Sequence, residues 1–405
     1  MTHHTPPAFI DAAIARYADM NRRALAWTLS RDTARAPFIE LKINSITMQD
    51  FTDADGLRAP GYIYGWIQGR GLEALIAHAQ WLPEGSEMAA QAMDRAKVLY
   101  GVLADLVERD GGVYFIYDKT MVPSWSPDGI NLLPQHLGTG FRSYSDIFAA
   151  KGLIAGAHAF DPQRLNTWLD YLDDCIAAIE GDRFIMAEKQ AFNSSTCAAQ
   201  ATNYGPRMIA LGAAPLLHRL NLGEHTAFGS RFVRQVLDNH LNTSRQVLSD
   251  EIGGDFANPG HAIEFVGFAL AHCRAAGETS AVPELLELLA GCTAFGFRGP
   301  GVSIGASIAT GETLIPTYPW WTLPETIRSA AYAYAMSGEQ RFLDIWAEAD
   351  QRFTTSYWRG QPPYSIQNRD LSGPVDITPA TPDLDPLYHT ALSLLGAIAA
   401  TGASN

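Results

Sequence analysis

Apolar residues recur at intervals of three and four along most of the chain. The stretches fall near residues 8–30, 62–82, 87–109, 141–159, 162–181, 201–221, 225–242, 259–276, 281–296, 319–337, 338–356 and 386–401. A 3.6-residue recurrence marks an amphipathic helix, so the pattern predicts twelve. Breaks such as Phe160-Asp161-Pro162 and Ser337-Gly338-Glu339 separate neighbours. Strand-like alternation is confined to Phe38–Asn44 and to Gly111–Asp118, the latter read as one arm of a hairpin. Neither run enters a strand–helix alternation or a glycine-rich phosphate loop, which argues against a parallel-sheet nucleotide fold.

No Pro/Ser-rich linker or compositional shift divides residues 1–405, so the expectation is one domain. Twelve helices make six hairpins, and hairpins that each bury a face against the next can close on themselves. The fold predicted is all-α, an (α/α)6 barrel with short β segments in its loops. An irregular all-α domain or an open helical array is the alternative that helix count alone leaves standing. Alternate helices of such a barrel form its inner wall and start at the same mouth.

Composition narrows the function. Apolar residues make 47% of the chain and charged residues 18%, a globular balance that excludes disorder. A net charge of −14 leaves no spare positive charge for a phosphate backbone, so nucleic acid is not expected as a ligand. No apolar run approaches the ~18 residues of a membrane span, and no signal peptide is visible at Met1. Cys175, Cys197, Cys273 and Cys292 lack metal-site spacing and read as buried reduced thiols. A cytoplasmic protein is expected, with neither nucleic acid nor membrane as partner; a homodimer is compatible with the reading.

The unusual polar and aromatic residues gather near the starts of every second predicted helix: Arg70; Ser145 and Asp146; Asn203 and Arg207; His261 and Glu264; Trp320, Trp321 and Glu325; His389. In a barrel these starts would converge, and convergent polar groups with aromatics define a candidate site. In Asn258-Pro-Gly-His-Ala-Ile-Glu264, Pro259 and Gly260 read as loop and Asn258 as the helix cap. His261 and Glu264, three apart, share a helix face, where the carboxylate can fix the imidazole tautomer or pair with it for stability alone. No HxxxH or second nearby carboxylate completes a metal ligand set, so no metal is expected. A lone histidine at a helix start, as His389 is, is more often structural than catalytic. Arg70, inside an apolar helix, needs a partner, for which Glu73 or Asp146 would serve. Two adjacent indoles, Trp320 and Trp321, cannot both enter one core, so one either lines a cavity, where it could stack on a sugar ring, or lies at the surface. His78, His158, His218 and His272 sit within amphipathic helices and are read as packed or solvated; His3 and His4 fall in the terminus, and His136 in a loop that could border the site.

Together these segments resemble the N-acylglucosamine 2-epimerase family, which includes cellobiose 2-epimerases and aldose–ketose isomerases. Trp66-Ile-Gln-Gly-Arg70 looks like its W-x-Q-x-R segment, and Tyr144-Ser-Asp-Ile-Phe148 like S-E-x-F with Asp146 in place of Glu. Pro259-Gly-His-Ala-Ile-Glu264 resembles P-G-H-x-x-E, Trp320-Trp-Thr-Leu-Pro-Glu325 resembles W-W-x-x-x-E, and Tyr388-His389 the late aromatic–His pair. The five come in family order between about residues 60 and 390. The sixth-helix segment Asn203-Tyr-Gly-Pro-Arg-Met-Ile-Ala210 lacks the extra histidine of the isomerase branch, and Thr390-Ala391 stands where many members have Pro-Arg. The resemblance implies the (α/α)6 fold.

It also implies a carbohydrate 2-epimerase or aldose–ketose isomerase. Such an enzyme removes a proton next to a carbonyl and needs a base near neutral pKa and a stabiliser for the enediolate oxygen. His261 and His389 are the expected bases, Arg70 the oxyanion stabiliser and Glu264 the orienter of His261. Glu325, Trp320, Trp321, Asp146, Asn203 and Arg207 are expected to contact the sugar, and no cofactor is required. Two other readings remain open here. A glycoside hydrolase or lyase on the same barrel would recruit two carboxylates, and a non-catalytic helical-barrel protein would bind without turnover.

Overall fold

The computed structural model describes residues 6–31, 35–135, 138, 140–186, 189–377 and 382–402. Among these, fourteen α-helices carry the chain: α1 (Pro6–Ser30), α2 (Gly65–Trp81), α3 (Glu87–Asp110), α4 (Tyr144–Phe160), α5 (Leu165–Glu180), α6 (Ser194–Ala198) and α7 (Gly205–Leu211). There follow α8 (Ala213–Arg219), α9 (Ala227–His240), α10 (Pro259–Ala276), α11 (Val282–Gly296), α12 (Thr322–Ser337), α13 (Gln340–Arg352) and α14 (Ser393–Ala400). All twelve predicted helices are present; the sixth is split into α7 and α8, and α6 is an additional short turn in a loop.

The helices alternate in how much of their surface is buried. In α2, α4, α10 and α12 nearly every residue of the central turns is buried, charged ones included. In α3, α5, α9 and α13 only a stripe is, as with Leu99, Leu103 and Leu106 of α3. A helix apolar all round is an interior helix, and a striped one covers it. The even-numbered members of the predicted series are the interior ones.

Backbone contacts divide the chain into two compact units. The described residues of 6–24, 211–376 and 389–402 form the first, with α8–α14; those of 25–210 and 377–388 form the second, with α2–α6 and most of α7. In the second unit α2 crosses α4 where two glycines meet. A Cβ on Gly69 would lie 2.3 Å from the Phe148 carbonyl, and one on Gly152 would lie 2.6 Å from the Gly69 oxygen. Only hydrogen fits at that crossing, and it brings Phe148 of α4 against Arg70. In the first unit α10 and α12 pack with similar intimacy, and Ser329 Oγ donates to the Ile263 carbonyl at 2.7 Å.

The strands among the described residues are two or three residues long. β1 (Ile63–Tyr64), β2 (Ile116–Tyr117), β3 (Pro123–Trp125) and β4 (Leu133–Pro134) form one small antiparallel sheet, so the segment read as a hairpin arm does pair with the strand that follows it. The other expected strand is not one. Phe38–Ile43 is buried, but side chains take several of its backbone groups. Gln68 bonds Ile39 N–H and C=O at 2.8 and 2.9 Å, and Asp383 accepts from Leu41 N at 2.8 Å while pairing with Lys42 at 2.6 Å. Alternation expected one face of this segment in solvent, but Glu40 and Lys42 are buried with the rest, and beyond the single Ile43–Asp50 bridge no ladder forms. No described helix is long and apolar enough to cross a membrane.

Candidate active site

α10 begins at Pro259, in the first helical position, where its missing N–H costs nothing. Pro259 and Gly260 are therefore helical, not loop as the sequence suggested, and Asn258 is the cap, accepting from His261 N at 3.1 Å. Gly260 has its own reason. A Cβ there would lie 3.0 Å from the Trp321 ring and 2.8 Å from Thr322 Cγ2, so the glycine lets the Trp321 indole close on the start of α10.

That indole is the hub of the first unit's cluster. Its centroid lies 5.4 Å from the His261 ring at 30° and 5.6 Å from the His389 ring at 34°. Trp320 is buried, its Nε1 donating to Thr390 Oγ1 at 3.1 Å and its ring edge-on to His389. One indole is thus in the core and the other stands beside both imidazoles, half-buried, as the adjacency of the two required.

Glu325 is fully buried in the first turn of α12, where the helix dipole favours an anion. Its Oε1 meets His389 Nδ1 at 2.9 Å and accepts from Ser393 Oγ at 3.1 Å; its Oε2 pairs with Arg328. A carboxylate offers only lone pairs, so Nδ1 of His389 carries the hydrogen and Nε2 is the basic nitrogen. Glu264 reaches the same place, and one donor atom each of Glu264, Glu325 and His389 lie within 4.8 Å of one another. Sequence spacing found no carboxylate to join a histidine here because the second one arrives from another helix. Two carboxylates and an imidazole are a set a divalent cation could use, but both Glu325 oxygens already face hydrogen-bond or ion-pair partners. His389 itself lies in a turn of π-helix, Tyr388–Leu392, that leads into α14. Leu387, just before it, has φ +67°, a left-handed conformation that costs a leucine about 1–3 kcal/mol and is typical of functional sites.

The second unit carries Arg70. The suggested partners are otherwise engaged. Glu73 pairs with buried Lys151 at 3.0 Å. Asp146, wholly buried in the first turn of α4, completes a capping box with the N-cap Ser143, accepting from Ser143 N at 2.5 Å, Val113 N at 2.9 Å and the Tyr171 hydroxyl; burial pushes its carboxyl up and those donors pull it back. Asp146 is placed as a capping residue, not at a surface that a sugar could touch. Arg70, 7% exposed, instead lies in an aromatic cage, 4.3 Å from the Trp66 centroid, 4.1 Å from Phe148 and 4.9 Å from Tyr388. Among the described residues it has no ion pair with a carboxylate, which leaves its charge available to an anionic oxygen. Asn203 folds back to accept from Gly205 N at 2.7 Å at the start of α7, on which Arg207 is half-buried.

The remaining histidines are structural or exposed. His78 is buried, Nδ1 bonding the Ala74 carbonyl at 2.6 Å, and burial pulls it down to about 4. His218 and His272 bond each other at 3.1 Å, and His158 is exposed. His3, His4 and His136 lie outside the described residues. All four cysteines are buried and unbridged. Sequence reasoning missed Arg328 and Ser393, although they stand at helical spacing, i+3 from Glu325 and i+4 from His389.

No family model matches the sequence, and no curated protein matches it. Solved structures do match. Cellobiose 2-epimerase from Bacillus thermoamylovorans aligns with a TM-score of 0.73 at 15% identity, over 96% of this chain and 99% of that one. D-mannose isomerase aligns at 0.70 and 11% identity over 97% of both chains. A family 76 glycoside hydrolase (mannosidase) from Bacteroides thetaiotaomicron aligns at 0.55 and 13% identity, over 95% of this chain and 98% of the other. At such identities the likeness shows the fold: all-α, the (α/α)6 class of helical hairpins with short strands in the loops, shared by sugar epimerases and glycoside hydrolases.

Proposed function

We propose that the protein is a carbohydrate 2-epimerase or aldose–ketose isomerase that works on the reducing end of a small sugar by imidazole-mediated proton transfer. The observation that carries this reading is the pair of histidines, 128 positions apart in sequence, packed against one indole, with His389 held by Glu325 in a fixed tautomer. An imidazole is the side chain whose ordinary pKa suits it to take and return a weakly acidic C–H proton near neutrality. With His389 Nε2 as one base and His261 as the other, a planar enediolate can lose a proton on one face and regain it on the other, which is epimerisation. Transfer between C2 and C1 by one of them gives the ketose. Trp321 is assigned the apolar face of the sugar, and Glu264 a hydroxyl or the orientation of His261. No cofactor enters the scheme, and a cytoplasmic location suits the four unbridged thiols.

The hydrolase reading needs one carboxyl as acid and another as base or nucleophile. Glu325 is poorly suited to either part, being fully buried and tied to His389, Ser393 and Arg328. The test is a panel of reducing sugars and glycosides incubated with the protein in D₂O and followed by proton NMR. A new epimer or ketose carrying deuterium at C2 or C1 is expected. Release of a second sugar from a glycoside would favour the hydrolase, and binding without any turnover would favour a non-catalytic protein.

A further inference from the structure

Arg328 is a buried cation that the scheme above does not use. It is 8% exposed, lies three residues beyond Glu325 on α12, and pairs with the Glu325 oxygen that His389 does not use. Its path through the first unit is cleared by glycines on two other helices. A Cβ on Gly267 of α10 would lie 3.0 Å from Arg328 Nε, and one on Gly396 of α14 would lie 3.1 Å from its Cγ and Cδ. A glycine inside a helix is less favourable than alanine, so two of them on the course of one side chain mark a built channel. The Phe268 ring covers the guanidinium, 4.2 Å from Cζ.

We propose that Arg328 is a positioning residue for the reaction: it clamps Glu325 from behind, so that the other carboxylate oxygen holds His389 with Nδ1 protonated and Nε2 basic. This rests on the sugar isomerase or epimerase reading for its purpose, though not for its geometry. The charges around His389 give the reason. Glu325 on α12 and Glu264 on α10 are the two carboxylates that converge on it, Ser393 on α14 is a neutral donor, and His261 packs on the same Trp321 indole. Arg328 is the cation paired with this group. It also faces Tyr332, which Arg274 and Arg219 influence in turn. With Arg328 in place the Glu325 charge is balanced, and His389 can stay neutral and ready to accept a proton. Without it, two carboxylates favour the imidazolium, which is not a base.

The test compares R328K and R328M with the wild type. R328M keeps the length of the stem and removes the charge. Activity that needs a neutral base rises with pH as the base loses its proton, so the acid limb of kcat/KM should move up by about one pH unit in R328M, given that a charge a few ångströms away shifts a titration by about that much or more. That is an approximately tenfold loss on the limb, recovered at higher pH, and R328K should keep the limb near its wild-type position. A uniform loss at every pH with an unmoved limb would show a merely structural arginine and overturn the proposal. If R328M does not fold, G396A carries the test. It alters no charge but crowds the arginine stem, and the limb should move the same way; an unmoved limb refutes. Should the wild type turn over no sugar, the sugar reading fails by itself. Titration of the His389 imidazole by NMR, assigned by its loss in H389Q, still reads the effect of Arg328: an upward move of its midpoint in R328M supports the clamp, and an unchanged midpoint ends it.

Discussion

Replacing Asp250 by asparagine tests how the start of α10 is held. Asp250 accepts from Asn258 N at 2.9 Å, and Asn258 in turn caps the helix that carries His261. Burial, helped by neighbouring Glu251, raises the Asp250 carboxyl from 3.8 to about 7 against the pull of that N–H. A group whose pKa is raised on folding gives stability that is complete below its unfolded value and is lost as pH climbs through the folded one. Here the window runs from 3.8 to about 7. At ~1.4 kcal/mol per unit, a rise of roughly three units amounts to about 4 kcal/mol of stability lost across it. The amide of D250N would keep an oxygen for the Asn258 N–H and carry no charge at any pH, so the variant should lack this slope. Urea denaturation of both proteins between pH 4 and 8 supplies the difference curve, in which every other titrating group cancels. The gap in favour of D250N should widen with pH by several kcal/mol and level off above pH 7. Parallel stability curves would refute the raised carboxyl of the half-buried Asp250.

Three further outcomes can be measured. His78, held down at about 4 against 6.5 by burial, contributes about 3 kcal/mol that is present above pH 6.5 and lost as pH falls toward 4; H78Q, which keeps a donor for the Ala74 carbonyl, should flatten that acid-side decline in the same denaturation series. G69A puts a methyl 2.3 Å from the Phe148 backbone and should cost about 1–3 kcal/mol or more by overpacking, read as a lowered urea midpoint; a neutral G69A would mean the α2–α4 crossing can relax. R70M, if Arg70 meets the developing oxyanion, should lower kcat by about 10²-fold with little loss of fold, judged by activity beside circular dichroism; unchanged kcat removes Arg70 from the chemistry.

The helices were legible because burial imposes its period on the sequence, and breaks such as Ser337-Gly338-Glu339 record where each ends. Gly338, in the left-handed conformation at φ +69°, closes α12 where it was expected to. What failed was local in form and distant in cause. Phe38–Asn44 alternates like a strand, yet several of its backbone groups bond side chains, that of Gln68 and that of Asp383, the latter more than 300 residues away. Pro259-Gly260 looks like loop because both residues break helices, whereas one fits the first helical position and the other makes room for an indole. The candidate site was legible as a set of residue types near helix starts, and the first unit does bring His261, Glu264, Trp320, Trp321, Glu325 and His389 together. Their pairings were not legible. Glu325 was read as a sugar contact and is the carboxylate that orients His389; the salt bridge to Glu73 or Asp146 that stood open for Arg70 is replaced by an aromatic cage. Such pairings depend on which helix faces which, and that follows from packing rather than from spacing along one helix.

The central claim is that His261 and His389 move a proton at the carbon next to a sugar carbonyl. Deuterium wash-in from D₂O, followed by proton NMR for the wild type, H261A and H389A on a sugar the wild type converts, tests it most directly. The account predicts deuterium at C2 of the epimer or C1 of the ketose in the wild type, with conversion slowed about 10²-fold or more in each variant. In an epimerase each variant should still wash deuterium into one of the two epimers, because the remaining imidazole works on its own face; in an isomerase only one of the two should abolish wash-in. Conversion with the carbon-bound hydrogen retained, or wild-type rates in both variants, would contradict it.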